Sequence, residues 1–446
     1  MNKKWIYGLL IATIMVMTGC STISPSPITS PTEVVSPTEA NVTTDTEYIK
    51  SEMAREMAPS VDPADLTTLA EDNAAFALDF YQQIRDADGN LIFSPFSLSL
   101  ALTMAKAGAE GSTQEGMAEA LNLSLPEDTL YPAFDALLLA INESSEQVTE
   151  ERDGNPFQLN IANGLWGQAG FLFEEAFLDT LAQYFGAGLY TVDYQNAPDA
   201  ARQLINDWIN DETEGKIPNL IPEGAIDSLT RLVLANAIYF NGSWYYPFDE
   251  NQTEQAPFYL LDGSETTAEM MQLNGERLAY TRGDGYQVVQ LPYLSADFVM
   301  TLWVPDSGDF ETFEAGLAGD QITAIREQLG SEEVNLQMPK FDFKTSTNAN
   351  DPLRTLGMDE AFDPEVADFS GMTREDKLLI TDVLHKATIT VDENGTEAAA
   401  ATAVILGVTS AMPGEPISLI IDRPFLFTID HKPTGTILFM GRVVQP

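Results

Sequence analysis

Lys3 and Lys4 precede an apolar run from Trp5 to Met17, about 13 residues, the length of a signal-peptide core and too short to span a bilayer. From Ser21 to Asp65 the apolar positions thin out into Ser, Thr, Pro and Glu, and Pro25, Pro27, Pro31 and Pro37 stand too close together for helix or sheet. The pattern predicts a disordered, solvated linker over 21–65 that lifts a folded domain, 66–446, away from whatever holds the N-terminus. At Leu66 the periodicity becomes helical: Ala70, Ala74, Ala77 and Tyr81, flanked by Phe76 and Phe80, recur at three and four. Asn90 to Phe93 reads as a short strand, and Ser94-Pro95 as the capped start of a second helix. Later segments predict a helix over Asp199 to Glu212 and strands over Leu232 to Phe240, Tyr286 to Leu291, Phe298 to Pro305 and Leu378 to Val391. Helices come mostly early and strands mostly late, which predicts an α+β fold with a large mixed or antiparallel sheet.

One long segment fits none of these periods. Gly395 to Pro416 is entered by Asn394-Gly395 and left by Pro413-Gly414, and its alanine run gives way to Thr, Val, Ile and Gly. Glu397 to Ala403 has high helix propensity, yet with period two the same residues make an acceptable strand. With Glu397 toward solvent, Thr396, Ala398, Ala400, Thr402, Val404 and Leu406 share an uncharged face. Connections of this length are functional or disordered.

Composition narrows the chemistry. Of 446 residues, 68 are acidic and 22 basic, a formal charge of −46 that repels phosphate backbones and anionic head groups and argues against a nucleic-acid partner. A single cysteine, Cys20, allows no intramolecular disulfide and no thiolate zinc cage, and two histidines without an HExxH motif leave the common zinc-hydrolase sites short of ligands. No metal or cofactor is expected. Arg282-Gly283-Asp284 reads as a turn, Gly283-Asp284-Gly285 lacks the third glycine of a dinucleotide fingerprint, and no P-loop is present.

Met17-Thr18-Gly19-Cys20 resembles the bacterial lipobox, with Met17 in place of the usual Leu. That resemblance implies a signal peptide over 1–20, a lipid-modified Cys20 and an extracytoplasmic protein tethered to the outer face of a bacterial membrane, with no other membrane contact. The folded part resembles the serpins. The resemblance rests on Asn90-Leu-Ile-Phe-Ser94-Pro95-Phe-Ser97, Gly108-Ala109-Glu110-Gly111-Ser112-Thr113, and Leu234 to Phe240 running into Trp244. It rests equally on Glu393-Asn394-Gly395-Thr396-Glu397-Ala398-Ala399-Ala400, and on Arg423-Pro424-Phe425 followed by Phe439-Met440-Gly441-Arg442-Val443, all in family order.

The resemblance implies a monomeric single domain of three β-sheets and about nine helices with an exposed reactive centre loop. A target serine protease attacks the loop, and the cut loop inserts as a new strand into the large sheet before deacylation, leaving a covalent acyl complex. Serpin loop insertion is an established case of strand addition that releases stored strain. The loop hinge matches Glu393, Gly395, Thr396, Glu397, Ala398, Ala399, Ala400 and Ala401. The sheet-opening cluster matches Ser94, Ser97, Asn236 and His385, with Trp244 at the top of the sheet. Small side chains from Ala398 to Ala401 can slide between strands where a charge or a proline would stall. Counting forward from Glu393 puts the reactive bond between Thr409 and Ser410, beside Val408. Counting back from Pro424 and Phe425 puts it near Met412, where Pro413 would resist cleavage. The resulting expectation is an inhibitor of elastase-like or subtilisin-like proteases and not an enzyme. The alternative is a non-inhibitory serpin acting as a binding or scaffold protein.

Overall fold

Asp62 and Pro63 start the first long helix: the Asp62 carboxylate accepts from the Ala64 N–H, and Pro63 has no N–H of its own to leave unpaired at the first helical position. This helix, α1 (Pro63–Ile84), begins ahead of Leu66 and buries Ala70, Ala74, Phe76, Ala77, Phe80 and Tyr81. The computed structural model describes residues 46–151, 157–375, 377–396 and 415–446. Cys20, the first part of the linker, hinge residues Glu397, Ala398, Ala399, Ala400 and Ala401, and the bond candidates Val408, Thr409, Ser410 and Met412 lie outside the described residues.

The predicted linker ends too late. Residues 46–62 belong to the fold: β1 (Glu47–Ile49) is a strand, and Arg55 and Glu56 bond to Asp135 and Gln183. Composition hides this because the segment is held by partners far along the chain rather than by a periodic apolar face of its own.

Next come β2 (Leu91–Phe93), α2 (Pro95–Lys106), α3 (Gly111–Ala120), α4 (Glu127–Glu151), β3 (Gln158–Gln168), α5 (Glu175–Phe185), β4 (Leu189–Val192) and α6 (Pro198–Glu212). Strands dominate afterwards: β5 (Leu232–Ser243), β6 (Glu254–Tyr259), β7 (Glu265–Gly283), β8 (Tyr286–Pro292) and β9 (Phe298–Pro305). Helices α7 (Phe310–Gly316) and α8 (Gly319–Arg326) interrupt them before β10 (Gly330–Pro339), β11 (Phe341–Asn348) and α9 (Asn350–Leu353). The chain closes with β12 (Asp382–Val391), β13 (Gly395–Thr396), β14 (Ile417–Ile420), β15 (Phe425–His431) and β16 (Thr436–Val443). Among the described residues there are nine α-helices and two sheet networks, an α+β fold. The strand expected over Leu378 to Val391 starts only at Asp382.

A seven-stranded sheet runs β1-β4-β3-β5-β13-β12-β11. All of β5 is buried, and its alternation shows why. Leu232, Leu234, Ile238 and Phe240 join the main core with Phe96 and Leu98 of α2, whereas Val233, Ala235 and Ala237 belong to a second cluster with Ile205 and Ile209 of α6. Helices therefore cover both faces of the strand. The other network has nine strands, β14-β10-β7-β8-β9-β15-β16-β2 with β6 on β7. Two of the three expected sheets merge here because β7, 19 residues long, pairs in turn with β6, β10 and β8. Strands β15 and β16 lie inside this network, between β9 and β2, and every residue in them is buried.

Candidate functional site

The site is a split in the seven-stranded sheet. Strands β5 and β12 pair directly, in parallel, from Val233↔Asp382 to Ile238↔Ala387. Beyond Ile238 they diverge, and the hinge enters the gap. The Asp392 carboxylate accepts from the N–H groups of Asn394 (2.8 Å) and Gly395 (3.2 Å), turning the chain back on itself. Gly395 and Thr396 then pair antiparallel with Ser243 and Gly242 of β5, and Thr396 pairs with Val391 of β12. Thr396 is 1% exposed, and its hydroxyl lies 2.8 Å from that of Tyr293.

Glu393 anchors the entrance to this gap. Its carboxylate meets the Lys340 ammonium at 2.7 Å and accepts from the Thr253 hydroxyl at 2.6 Å. Burial alone would raise the Glu393 carboxyl, but the Lys340 and Thr253 bonds outweigh it and hold the group below its usual range. Trp244 stands beside this anchor: its indole N–H donates to the Asp392 carbonyl at 3.0 Å, and its ring stacks on Tyr293 at 4.6 Å. No local pattern points to Lys340, Thr253 or Tyr293, whose partners lie about fifty residues or more away along the chain.

The remaining predicted residues converge lower in the same sheet. Ser94 caps α2 through the Ser97 N–H at 3.1 Å and donates its hydroxyl proton to the Leu438 carbonyl at 2.5 Å. Its own N–H donates to His385 Nε2 at 3.0 Å, so His385 carries its hydrogen on Nδ1, which bonds Asn236 Oδ1. The Asn236 amide nitrogen donates to the Ser97 carbonyl (2.8 Å) and contacts Ser97 Oγ (2.7 Å) and Asn163 Oδ1. Asn163 of β3 is a member that no sequence pattern indicated. Ser94, Ser97, Asn236 and His385 therefore form one network, and Trp244 stands apart from it near the top of the sheet.

His385 and Asn236 are cross-strand partners in the β12–β5 ladder. Separating those strands for their whole length must break the His385–Asn236 bond, so the network ties helix α2 to the closed sheet. Burial pushes the His385 imidazole down to about 3, and burial, partly opposed by Asp297, holds His431 down to about 4. Unfolded, each histidine titrates near 6.5. Because the folded values are depressed, the unfolded chain binds more protons below that pH, and this contribution to stability is lost as pH falls from 6.5 toward 4. We expect the native melting temperature to decline between pH 6.5 and 5, each histidine costing up to about 1 kcal/mol of stability per pH unit. The decline should be about half as steep in His385→Gln, in which His431 remains; an unchanged slope in that variant would mean that His385 is not buried neutral.

The comparisons agree with this architecture. The family model described as Serpin (serine protease inhibitor) matches residues 71–446. An uncharacterized serpin-like protein of Thermococcus kodakarensis is 37% identical over 373 residues, covering 83% of this chain and 84% of its own. The leukocyte elastase inhibitor of Sus scrofa is 37% identical over 388 residues, covering 85% and 99%. Among solved structures, a highly specific serpin of the insect Tenebrio molitor superposes with a TM-score of 0.71 at 27% identity, covering 85% of this chain and 98% of its own. The native state of the thermophilic serpin tengpin superposes with a TM-score of 0.76 at 25% identity, covering 89% and 98%. With the family model spanning most of the chain and the split sheet in place, the chain belongs to the serpin family.

Proposed function

We propose that this serpin is a suicide-substrate inhibitor of extracellular serine proteases of the elastase-like or subtilisin-like kind. The observation that carries the reading is the seating of the hinge: Gly395 and Thr396 are paired between β5 and β12, and the alanine run follows directly. In the proposed reaction the protease serine attacks the carbonyl of Thr409, the bond to Ser410 breaks, and the freed Ser410 amine leaves with the C-terminal piece. The ester-linked loop then inserts behind Thr396 and carries the protease with it before water can release it. The acyl complex, the monomeric state, and a tether through lipidated Cys20 on the outer face of a bacterial membrane are parts of the same proposal.

The target class follows from charge. From Asn394 to Ile421 there is no Lys or Arg, so a primary pocket built around a carboxylate would be left unpaired by any residue offered here. Incubation with elastase and subtilisin, followed by denaturing electrophoresis, should give a complex that survives denaturation, and the released fragment should begin at Ser410. Trypsin should give none. A fragment starting outside Thr409 to Pro413, or a trypsin complex formed in this loop, would overturn the assignment. Cleavage without any stable complex would favour the non-inhibitory binding or scaffold reading.

A further inference from the structure

Strand β3 is paired along almost its whole length on one side and only at its end on the other. Against β5 the pairs run from Gln158↔Asn241 to Gly167↔Leu232, whereas β4 joins at Trp166↔Tyr190, Gly167↔Thr191 and Gln168↔Val192. Among the described residues no strand lies beside the outer edge of β3 from Gln158 to Leu165. An open edge of this kind offers backbone N–H and C=O groups in alternation, a template on which another amide can pair.

A crevice of about 310 Å³ lies against this edge, and Ile161, Ala162 and Asn163 all line it. Consecutive strand residues point to opposite faces, so a space that touches three in a row meets the strand edge-on. The other walls agree. Leu100 and Met104 of α2 come from the main core on one face of the sheet, Trp208 of α6 from the second cluster on the other, and Gly186 and Gly188 add backbone without side chains. Aromatic rings make the apolar wall: Tyr190 stacks on Trp166 at 4.4 Å and lies 4.6 Å from Tyr48 and 5.4 Å from Trp208. Groups without partners gather at the same place. Arg55 Nη2 and Asn163 Nδ2, on residues that line the crevice, are buried donors with no hydrogen-bond partner among the described residues, and so is Trp166 Nε1 in the aromatic stack. Asp135 Oδ2, on the carboxylate that Arg55 Nε reaches, is a buried acceptor in the same condition.

An open strand edge, unpaired donors with one unpaired acceptor, and a flat apolar wall together suit a carboxamide joined to an aromatic ring. A carboxylate would bring acceptors only, and it would stand near the Asp135 and Glu212 carboxylates in a chain of net charge −46. An ammonium would bring donors only and would meet Arg55. The volume is at the lower end for ligand pockets, which limits the ligand to about the size of one blocked amino acid.

We propose that the crevice at the outer edge of β3 binds a small aromatic amide, its amide paired with the strand edge and its ring against Tyr190 and Trp208. The split in the sheet lies beyond β5, on the other side of β3, so this site does not depend on the inhibitory reading. The test titrates the full chain with N-acetyl-L-phenylalaninamide, which has no indole of its own, and follows tryptophan emission and amide exchange from Gln158 to Leu165. A saturable change in emission and slower exchange along that edge are expected. N-acetyl-L-alaninamide, which lacks the ring, and phenylacetate, which lacks the amide, should each bind about tenfold more weakly or worse. Trp208→Ala, at a half-buried position of α6, should weaken the amide about tenfold. Arg55→Lys, which keeps a positive charge for Asp135 but removes Nη2, should weaken it about threefold, and it decides alone if Trp208→Ala does not fold. Absence of saturable binding, unchanged exchange from Gln158 to Leu165, equal binding of the ring-free amide, tighter binding of phenylacetate, or wild-type affinity in the variants would each overturn the proposal.

Discussion

A single verified cut within residues 397–414 is expected to raise the melting temperature by roughly 10 °C or more, since insertion adds on the order of ten net backbone hydrogen bonds at about 1 kcal/mol each. In the uncut protein β5 and β12 share one parallel ladder, from Val233↔Asp382 to Ile238↔Ala387, and among the described residues Gly395 and Thr396 lie in the gap above it. Continuing the strand from Thr396 would replace that ladder with two antiparallel ones, each slightly stronger per residue than a parallel pair. On the proposed mechanism the uncut fold would be a kinetic trap, its lower state closed off while the chain on either side of the cut remains tied at both ends. Thermal scans of the intact and nicked protein, with the nick located by mass, provide the measurement. Equal melting temperatures would refute loop insertion, and with it the inhibitory mechanism.

Thr396→Arg is expected to turn the inhibitor into a substrate. Thr396 is already enclosed between the two strands with its hydroxyl against that of Tyr293, so a guanidinium there has no partner and no water. An unpaired buried charge costs about 3–5 kcal/mol, which lowers the fraction of encounters that end in a trapped protease by roughly a hundredfold or more. The hinge would be expelled from the gap while the rest of the fold, which does not depend on this two-residue strand, persists. On a denaturing gel the variant should appear as cleaved protein with active elastase beside it. Thr396→Ser, which keeps the hydroxyl, should still form the complex. Retention of a stable complex by the arginine variant would show that position 396 does not enter the sheet during inhibition.

Much of this was legible in the sequence wherever a residue's role is local. The buried face of α1, the Ser94 cap and the strands β5, β8 and β9 follow from spacing, because the periodicity of each element records its own burial. The lower network was legible only through the family's motifs, since no local pattern says that Ser94 and His385 meet across 291 positions. Asn163, Lys340 and Tyr293 stayed hidden for the same reason, each being one polar or aromatic residue in an ordinary strand or turn. The composition of residues 46–62 resembles a linker, and only the fold supplies Asp135, Asp179 and Gln183 to receive Arg55, Ser51 and Glu56.

Gly395 and Thr396 are held in the seven-stranded sheet and Ile417 to Ile420 in the nine-stranded network, so a cut between them has a further consequence for the molecule. Past Thr409, residues 410–446 include β14 on the rim of the nine-stranded network and β15 and β16 in its interior, wholly enclosed between β9 and β2. After a cut at the proposed bond these strands would be a separate polypeptide, still enclosed by the neighbours they have in the intact chain. Such a cleavage would convert one chain into a two-chain complex that was assembled before its chains existed. Its pieces should co-migrate through dilution and gel filtration and part only when the core itself is dissolved.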